Sequence, residues 1–271
     1  KNSSLKINLK SDKTEYLSDN EIYNFFVTSE NMDEITKIKN TFLVGHKGSG
    51  KSFILKYLSI PIQLIRFSEK TSIEFDEKAI GILIQCKVGK FGGLREPNDD
   101  VQLDKDWINA FTHIFNLCII QIFLEGIRDI FEIKKDITAN EINCFLDELI
   151  RLFRFDMSIT TFEKMFTFID DEISSIQEEY QQNKLRNNDR FYTDYKTLHE
   201  IRKSFQKCFK KYTNVEPVFL LDEYNELSNG QQKIVNEMIN IRHPVFKMSS
   251  VPHGYIKDRI VTGQIDIDQD Y

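Results

Sequence analysis

The sequence predicts an α/β fold: a parallel sheet in a three-layer αβα core, interrupted by a helical insertion. Three observations predict it. A short apolar run, Thr41-Phe42-Leu43-Val44, leads into a glycine-rich loop and then a helical pattern, Phe53 to Leu58. A second apolar run, Pro217-Val218-Phe219-Leu220-Leu221, ends in two acids, Asp222 and Glu223. Between them, from Asp104 to Tyr212, apolar residues recur at helical spacing.

Residues 1–20 are polar and read as a flexible N-terminal segment. Glu21 to Val27 is apolar enough to pack beside whatever the loop holds, and Ser29 is expected to cap a short helix to about Lys37. The loop that follows the first strand reads Gly45-His46-Lys47-Gly48-Ser49-Gly50-Lys51-Ser52, the pattern G-x-x-x-x-G-K-S. Its residue types fit one chemistry. Glycines let the backbone curl so that successive N–H groups point inward at a phosphate. A helix starting near Gly50 adds the positive end of its dipole. Lys51 can reach β- and γ-phosphates, Ser52 can ligate Mg²⁺, and Phe53 completes the phosphate-binding set. His46 lies inside the loop and belongs to the cofactor-binding set, with its side chain either contacting nucleotide or facing solvent.

Ile80 to Val88 is apolar and β-branched at its ends, which predicts a buried second strand, and Gly89 to Pro97 reads as a loop. Trp107, Phe111, Phe115, Leu117 and Ile119 open a long apolar helix to about Phe131. Thr138 with Glu141, and Thr160 with Glu163, have the spacing of capping boxes. Two heptad seams follow, Phe162-Phe166-Ile169-Ile173-Ile176-Tyr180 and Leu198-Ile201-Phe205-Cys208-Tyr212, separated by the polar stretch Gln181 to Arg190. They predict either an antiparallel helical hairpin or two amphipathic helices packed on the main core. The chain thus divides into residues 21–103 (first part of the core), 104–214 (helical insertion or subdomain) and 215–271 (second part of the core).

The strand ending in Asp222-Glu223 supplies the other half of the site. In phosphate-loop ATPases a first acid in this position holds the Mg²⁺ shell and a second polarises the attacking water. Such a pair is weak alone and strong behind a phosphate loop in the correct order, so Asp222 is expected as the metal partner and Glu223 as the general base, with Lys51 the other catalytic group. Ser228 with Gln231 opens a helix through Ile239, and Val245 to Ser250 reads as a further strand. Ligands sit at the carboxyl ends of strands in a parallel sheet, which makes Ser249 and Ser250 either sensors of the terminal phosphate or simple strand ends. Leu227-Ser228-Asn229-Gly230-Gln231 has the look of an LSGGQ signature, but it follows the acids instead of preceding them and reads as a helix start.

Composition bounds the partners. The chain has 271 residues, 29% charged and 41% hydrophobic, with net charge -6 and a pI near 5.5. That balance offers no global basic field for nucleic acid or an anionic membrane. Arg202, Lys203, Lys207, Lys210 and Lys211 form the best local patch for a phosphate backbone, and a solvated helix face accounts for them as well. Cys86, Cys118, Cys144 and Cys208 are scattered without CxxC spacing, so no zinc site or disulfide framework is expected and a reducing cytoplasm is the simplest home. The apolar stretch Ile114 to Leu124 is too short to span a bilayer. The five histidines show neither metal-ligand spacing nor a nucleophile partner. The chain begins at Lys1 without a leader and reads as a piece of a longer protein.

With these segments placed, the chain resembles the AAA+/origin-recognition-like P-loop ATPases of prokaryotes, in the ASCE division, including members found in anti-phage defence operons. Phe42 to Ser52, the second strand leading into Lys90-Phe91-Gly92, Leu221 to Leu227, and Phe246 to Ser250 carry the likeness. The resemblance implies a P-loop NTPase core that takes ATP and Mg²⁺, releases ADP, and assembles into homo-oligomers that can signal to an effector protein. It also implies an arginine finger from a neighbouring subunit, for which Arg95, Arg242 and Arg259 are candidates. The pattern departs from the family in showing no fifth core strand and no helical lid before Tyr271. Three functions follow as expectations: an Mg²⁺-dependent ATPase driving assembly or conformational switching, a non-hydrolysing nucleotide-gated scaffold for an effector, and an SMC-like DNA-binding motor.

Overall fold

Two short apolar runs cannot bury both faces alone, and the computed structural model shows how the chain covers them. It describes residues 17–26, 32–68, 78–86, 91–94, 104–135, 137–156, 158–185, 191–241 and 244–255. Ser18 caps α1 (Asp19–Phe25) in a reciprocal box with Glu21, and α2 (Met32–Thr36) leads into β1 (Thr41–Val44). The phosphate-loop helix α3 (Lys51–Tyr57) is followed by α4 (Ile60–Ser68) and β2 (Ala79–Gln85). The helical stretch comprises α5 (Lys105–Lys134), α6 (Ala139–Phe153), α7 (Phe162–Gln181) and α8 (Thr197–Cys208). The acid-bearing strand β3 (Glu216–Asp222), α9 (Asn229–Ile239) and β4 (Val245–Ser250) complete the described elements.

The four strands are parallel in the order β1-β4-β3-β2. Alternation along β3 sends its residues to two separate cores. Val218 and Leu220 join Ile22, Ile35, Leu55 and Ile62 from α1 to α4, whereas Phe219 and Leu221 join the large cluster built on α5 to α9. The sheet is therefore covered on both faces, the three-layer αβα arrangement that parallel strands require. Gly81 lets the α3–α4 junction approach β2, because a Cβ there would collide with the Leu58 carbonyl oxygen.

Register decides where chemistry can happen. Val44 pairs with Ser250 and Gln85 with Asp222, so the carboxyl ends of all four strands share one edge. In parallel sheets ligands bind outside that edge.

The long helix α5 spans 30 residues and is long and apolar enough to cross a membrane by length and composition, but its apolar window is 89% buried inside the fold. Three of its interior polar residues are tied to neighbours. His113 Nδ1 lies 2.9 Å from Thr193 Oγ1, Asn116 donates to the Asp194 carbonyl, and Gln121 donates to Asp170.

One alternative closes here and two expectations change. The two heptad seams form amphipathic helices packed on the main core, the second of the two expected arrangements, and do not make a hairpin with each other. Helix α7 lies on α5 and α8 lies on α6, with at most marginal contact between α7 and α8. Phe205 of α8 enters a ring cluster with Phe123 of α5 and Phe145 of α6. The cap of α7 is Thr161, whose hydroxyl accepts from Lys164 N, instead of Thr160. Cys144 and Cys208 form a disulfide with Cα atoms 5.7 Å apart. A separation of 64 residues leaves no local spacing signature, and only the α6–α8 packing brings the pair together. The boxes at Thr138–Glu141 and Ser228–Gln231 form as expected, so the LSGGQ-like stretch is a helix start. Residues 1–16, Ser29, 87–90 and 95–97 lie outside the described residues. The expected loop contains a 3-10 turn, Gly92–Leu94, and the end of the segment expected to be flexible is ordered as the capped start of α1.

Candidate functional site

The glycine-rich loop follows β1 because Val44 is the last residue that pairs with β4. Gly45 N–H then donates to the Ser250 carbonyl at 3.2 Å, which anchors the loop to the strand beside it. Gly48 and Gly50 take φ of 83° and 84°, the left-handed region where an L side chain is strained. Gly50 in this conformation caps α3, so the chain turns directly from loop into helix. His46, Lys47, Gly48, Ser49 and Gly50 are exposed. Lys51 Nζ donates to the Gly45 carbonyl at 2.7 Å, the His46 carbonyl at 3.0 Å and Ser49 Oγ at 3.3 Å. Those are neutral acceptors. Among the described residues no carboxylate pairs with the Lys51 ammonium, which stays a net positive charge inside the loop.

The acidic strand meets this loop through one side chain. Ser52 Oγ donates to Asp222 Oδ1 at 2.9 Å, across 170 residues of sequence. Asp222 is 3% exposed and accepts two further bonds on the same oxygen, from Ser249 Oγ at 2.6 Å and from Glu223 N at 3.1 Å. No donor among the described residues reaches Oδ2. The pair Ser52 and Asp222 presents a hydroxyl and a carboxylate, the hard oxygen donors that Mg²⁺ takes, so the donor set fits that ion. The loop likewise fits a phosphate, with permissive glycines and an uncompensated ammonium.

Glu223 leaves the strand in a left-handed conformation, φ 56° and ψ 45°. That is uncommon for a residue with a Cβ and costs of order 1–3 kcal/mol unless its surroundings hold it. Here the Glu223 N–H is held by Ser249 Oγ at 2.9 Å as well as by Asp222. The turn beyond it is pinned by Tyr224, a fully buried residue whose hydroxyl lies 2.9 Å from Asn236 Oδ1. Asn225 Oδ1 accepts from Val251 N, tying the same turn to the end of β4.

A family model described as ORC-CDC6-like matches residues 8–271. The chain belongs to the ORC-CDC6-like family. No curated protein and no solved structure matches it. ORC-CDC6-like proteins are AAA+ P-loop ATPases that bind nucleotide, and the parallel four-strand sheet with its surrounding helices is that fold.

In this ORC-CDC6-like chain, Gly45 to Phe53, Asp222, Glu223, Ser249 and Ser250 all lie at the carboxyl edge of the sheet. Ser52, Asp222, Glu223 and Ser249 form one hydrogen-bonded group. Ser250 lies apart from it. Its hydroxyl reaches the Val251 carbonyl, and its own carbonyl receives Gly45 N–H. The arginine candidates Arg95, Arg242 and Arg259, and Lys90, lie outside the described residues.

The sequence names Asn225 and Cys86 without giving either a part in the site. Cys86 N–H donates to the Asp222 carbonyl at 2.9 Å and so aligns the end of β3. Burial first, then the Asp222 and Glu223 charges, push its thiol well above the ordinary range, so it remains a thiol beside the acids. Neither residue carries a motif. Asn225 sits in the turn after two acids, where an Asn is a common turn former, and that is the only signal available.

Proposed function

We propose that the chain binds ATP with Mg²⁺ and hydrolyses it, using the cycle to drive oligomer assembly or a conformational switch. The observation that carries this reading is the 2.9 Å hydrogen bond from Ser52 to Asp222, which joins the phosphate loop to the acidic strand in one site. Lys51 and the loop N–H groups take the β- and γ-phosphates, and Ser52 and Asp222 hold the metal. Mg²⁺, when bound, supplies charge neutralisation on the phosphate oxygens. Glu223 orients a water and receives its proton.

Replacing Glu223 with Gln keeps nucleotide binding and lowers turnover by about 100-fold or more. Replacing Lys51 with Ala weakens ATP binding by about 10- to 100-fold, the worth of a charged hydrogen-bonding group. Both are read by fluorescence titration and phosphate release. Wild-type turnover in Glu223→Gln would remove the base assignment.

Assembly is supported by the resemblance to ring-forming AAA+ proteins and is read by ATP-dependent mass in light scattering. A mass change with turnover near zero marks a nucleotide-gated scaffold for an effector instead. The DNA-motor reading rests on the basic patch of α8 and the turn after it, part of which is already paired. Arg202 is paired with Glu216 at 2.6 Å, Lys203 with Glu200 and Lys207 with Glu148, so three of the basic residues already face carboxylates. A cytoplasmic setting rests on the scattered cysteines, with the Cys144–Cys208 bond standing against it, and a place in anti-phage defence rests on the resemblance.

A further inference from the structure

Ser249 was a candidate for sensing the terminal phosphate, and its hydrogen bonds assign it different work. A serine hydroxyl has one proton to donate and two lone pairs to accept with. Ser249 Oγ donates that proton to Asp222 Oδ1 at 2.6 Å, a short bond to an ionisable carboxyl group. It accepts the Glu223 N–H at 2.9 Å. The residue is 1% exposed on β4, the strand that the sheet order inserts between β1 and β3. Its proton is therefore committed before any phosphate arrives, in a place with little room to reorient.

We infer that Ser249 is a positioning residue: it holds the Asp222 carboxylate and fixes Glu223 in its left-handed conformation, and so aims the Glu223 carboxylate without touching phosphate itself. The inference rests on the ATPase reading above. The physical logic is a strained peptide with two holds. Glu223 N–H has two acceptors, Asp222 Oδ1 at 3.1 Å and Ser249 Oγ at 2.9 Å, and Ser249 supports both because it also bonds Asp222. Without the hydroxyl, one acceptor is lost and the other is freed to move. The φ of 56° then loses that part of its support, with the Tyr224 and Asn225 contacts remaining, and the carboxylate that follows from it shifts. Asp222 Oδ1 keeps Ser52 as a donor, so the metal side of the site suffers less than the water side.

A positioning role separates from a sensing role by which ligand notices the change. Ser249→Ala should lower kcat about 10- to 100-fold, the cost of misplacing a reacting group by about an ångström. The ratio of ADP to ATP dissociation constants should stay within about twofold of wild type, because a group that does not touch the γ-phosphate cannot discriminate it. Ser249→Thr keeps the hydroxyl on a residue suited to a strand and should recover most of kcat.

The experiment measures ATP and ADP affinities by fluorescence titration, and single-turnover hydrolysis, for wild type, Ser249→Ala and Ser249→Thr in Mg²⁺. ADP affinity near wild type shows that each variant is folded. Reduced kcat with an unchanged affinity ratio and rescue by Thr supports the inference. An affinity ratio that collapses in Ser249→Ala shows a direct phosphate contact and overturns it, as does unchanged kcat. If wild type binds ATP without turnover, the hydrolysis reading fails separately. The inference then stands or falls on the Mg²⁺ concentration needed for half-maximal ATP binding, which Ser249→Ala should raise severalfold and Ser249→Thr should not. A wild-type chain that binds no nucleotide overturns the site reading and this inference together.

Discussion

Lys247 lies buried in the centre of β4 with no carboxylate partner among the described residues. Its Nζ donates to the Lys37 carbonyl at 2.8 Å, with the Lys39 carbonyl and Thr41 Oγ1 further off. Burial, and then the charge of Lys39, lower its pKa from the ordinary 10.5 to about 8. The unfolded chain therefore holds one more proton than the folded chain between about pH 8 and 10.5. By linkage, stability rises with pH through that window, and it is lost as pH falls through 8. The buried Cys86 thiol acts in the opposite direction above about pH 9, so urea unfolding from pH 7.5 to 9 should show a steeper rise in wild type than in Lys247→Met. Equal slopes would remove the assignment. Lys247 illustrates what residue identity conveys and what it withholds. The phosphate loop and the Asp222-Glu223 pair were legible because their chemistry is carried by contiguous residues in fixed order. The left-handed Glu223 and the double bond of Ser249 were not, because one is a backbone angle and the other joins residues 26 and 27 positions apart.

At the scale of elements, periodicity revealed the helices but not their partners. The seams of α7 and α8 give the right apolar faces, yet a 3.5-residue repeat says only that a face is buried, not against what. Helix α7 found α5, with Gln121 bonded to Asp170 and Arg128 over the Phe166 ring, and α8 found α6. The Cys144–Cys208 disulfide and the Lys207–Glu148 ion pair fasten the second contact. Closing a 64-residue loop in the unfolded chain is worth about 4 kcal/mol at most by chain entropy. Reduction with dithiothreitol should thus lower unfolding free energy by about 2–4 kcal/mol, measured by urea titration. Cys208→Ser should show no further change on reduction. ATP affinity should be unaffected, because the bond joins helices away from the phosphate loop. Identical midpoints with and without reductant would show that the bond contributes nothing to stability.

At the scale of the molecule, the sheet order is the device that makes a site. With β4 between β1 and β3, the phosphate loop and the acids stand two strands apart, which leaves Ser52 and Asp222 at hydrogen-bonding distance and puts Ser249 beside Asp222. Strand existence was legible from apolar runs, whereas strand order was not, since each run fits a parallel sheet in several positions. The central claim is that two segments 170 residues apart act as one Mg²⁺-nucleotide site. A double-mutant cycle on MgATP affinity by titration calorimetry, with Ser52→Ala, Asp222→Ala and the double variant, tests it most directly. Each single change should weaken binding about tenfold and the double change should be little worse, a coupling of about 1 kcal/mol or more. Losses that simply multiply would show two independent groups and contradict it.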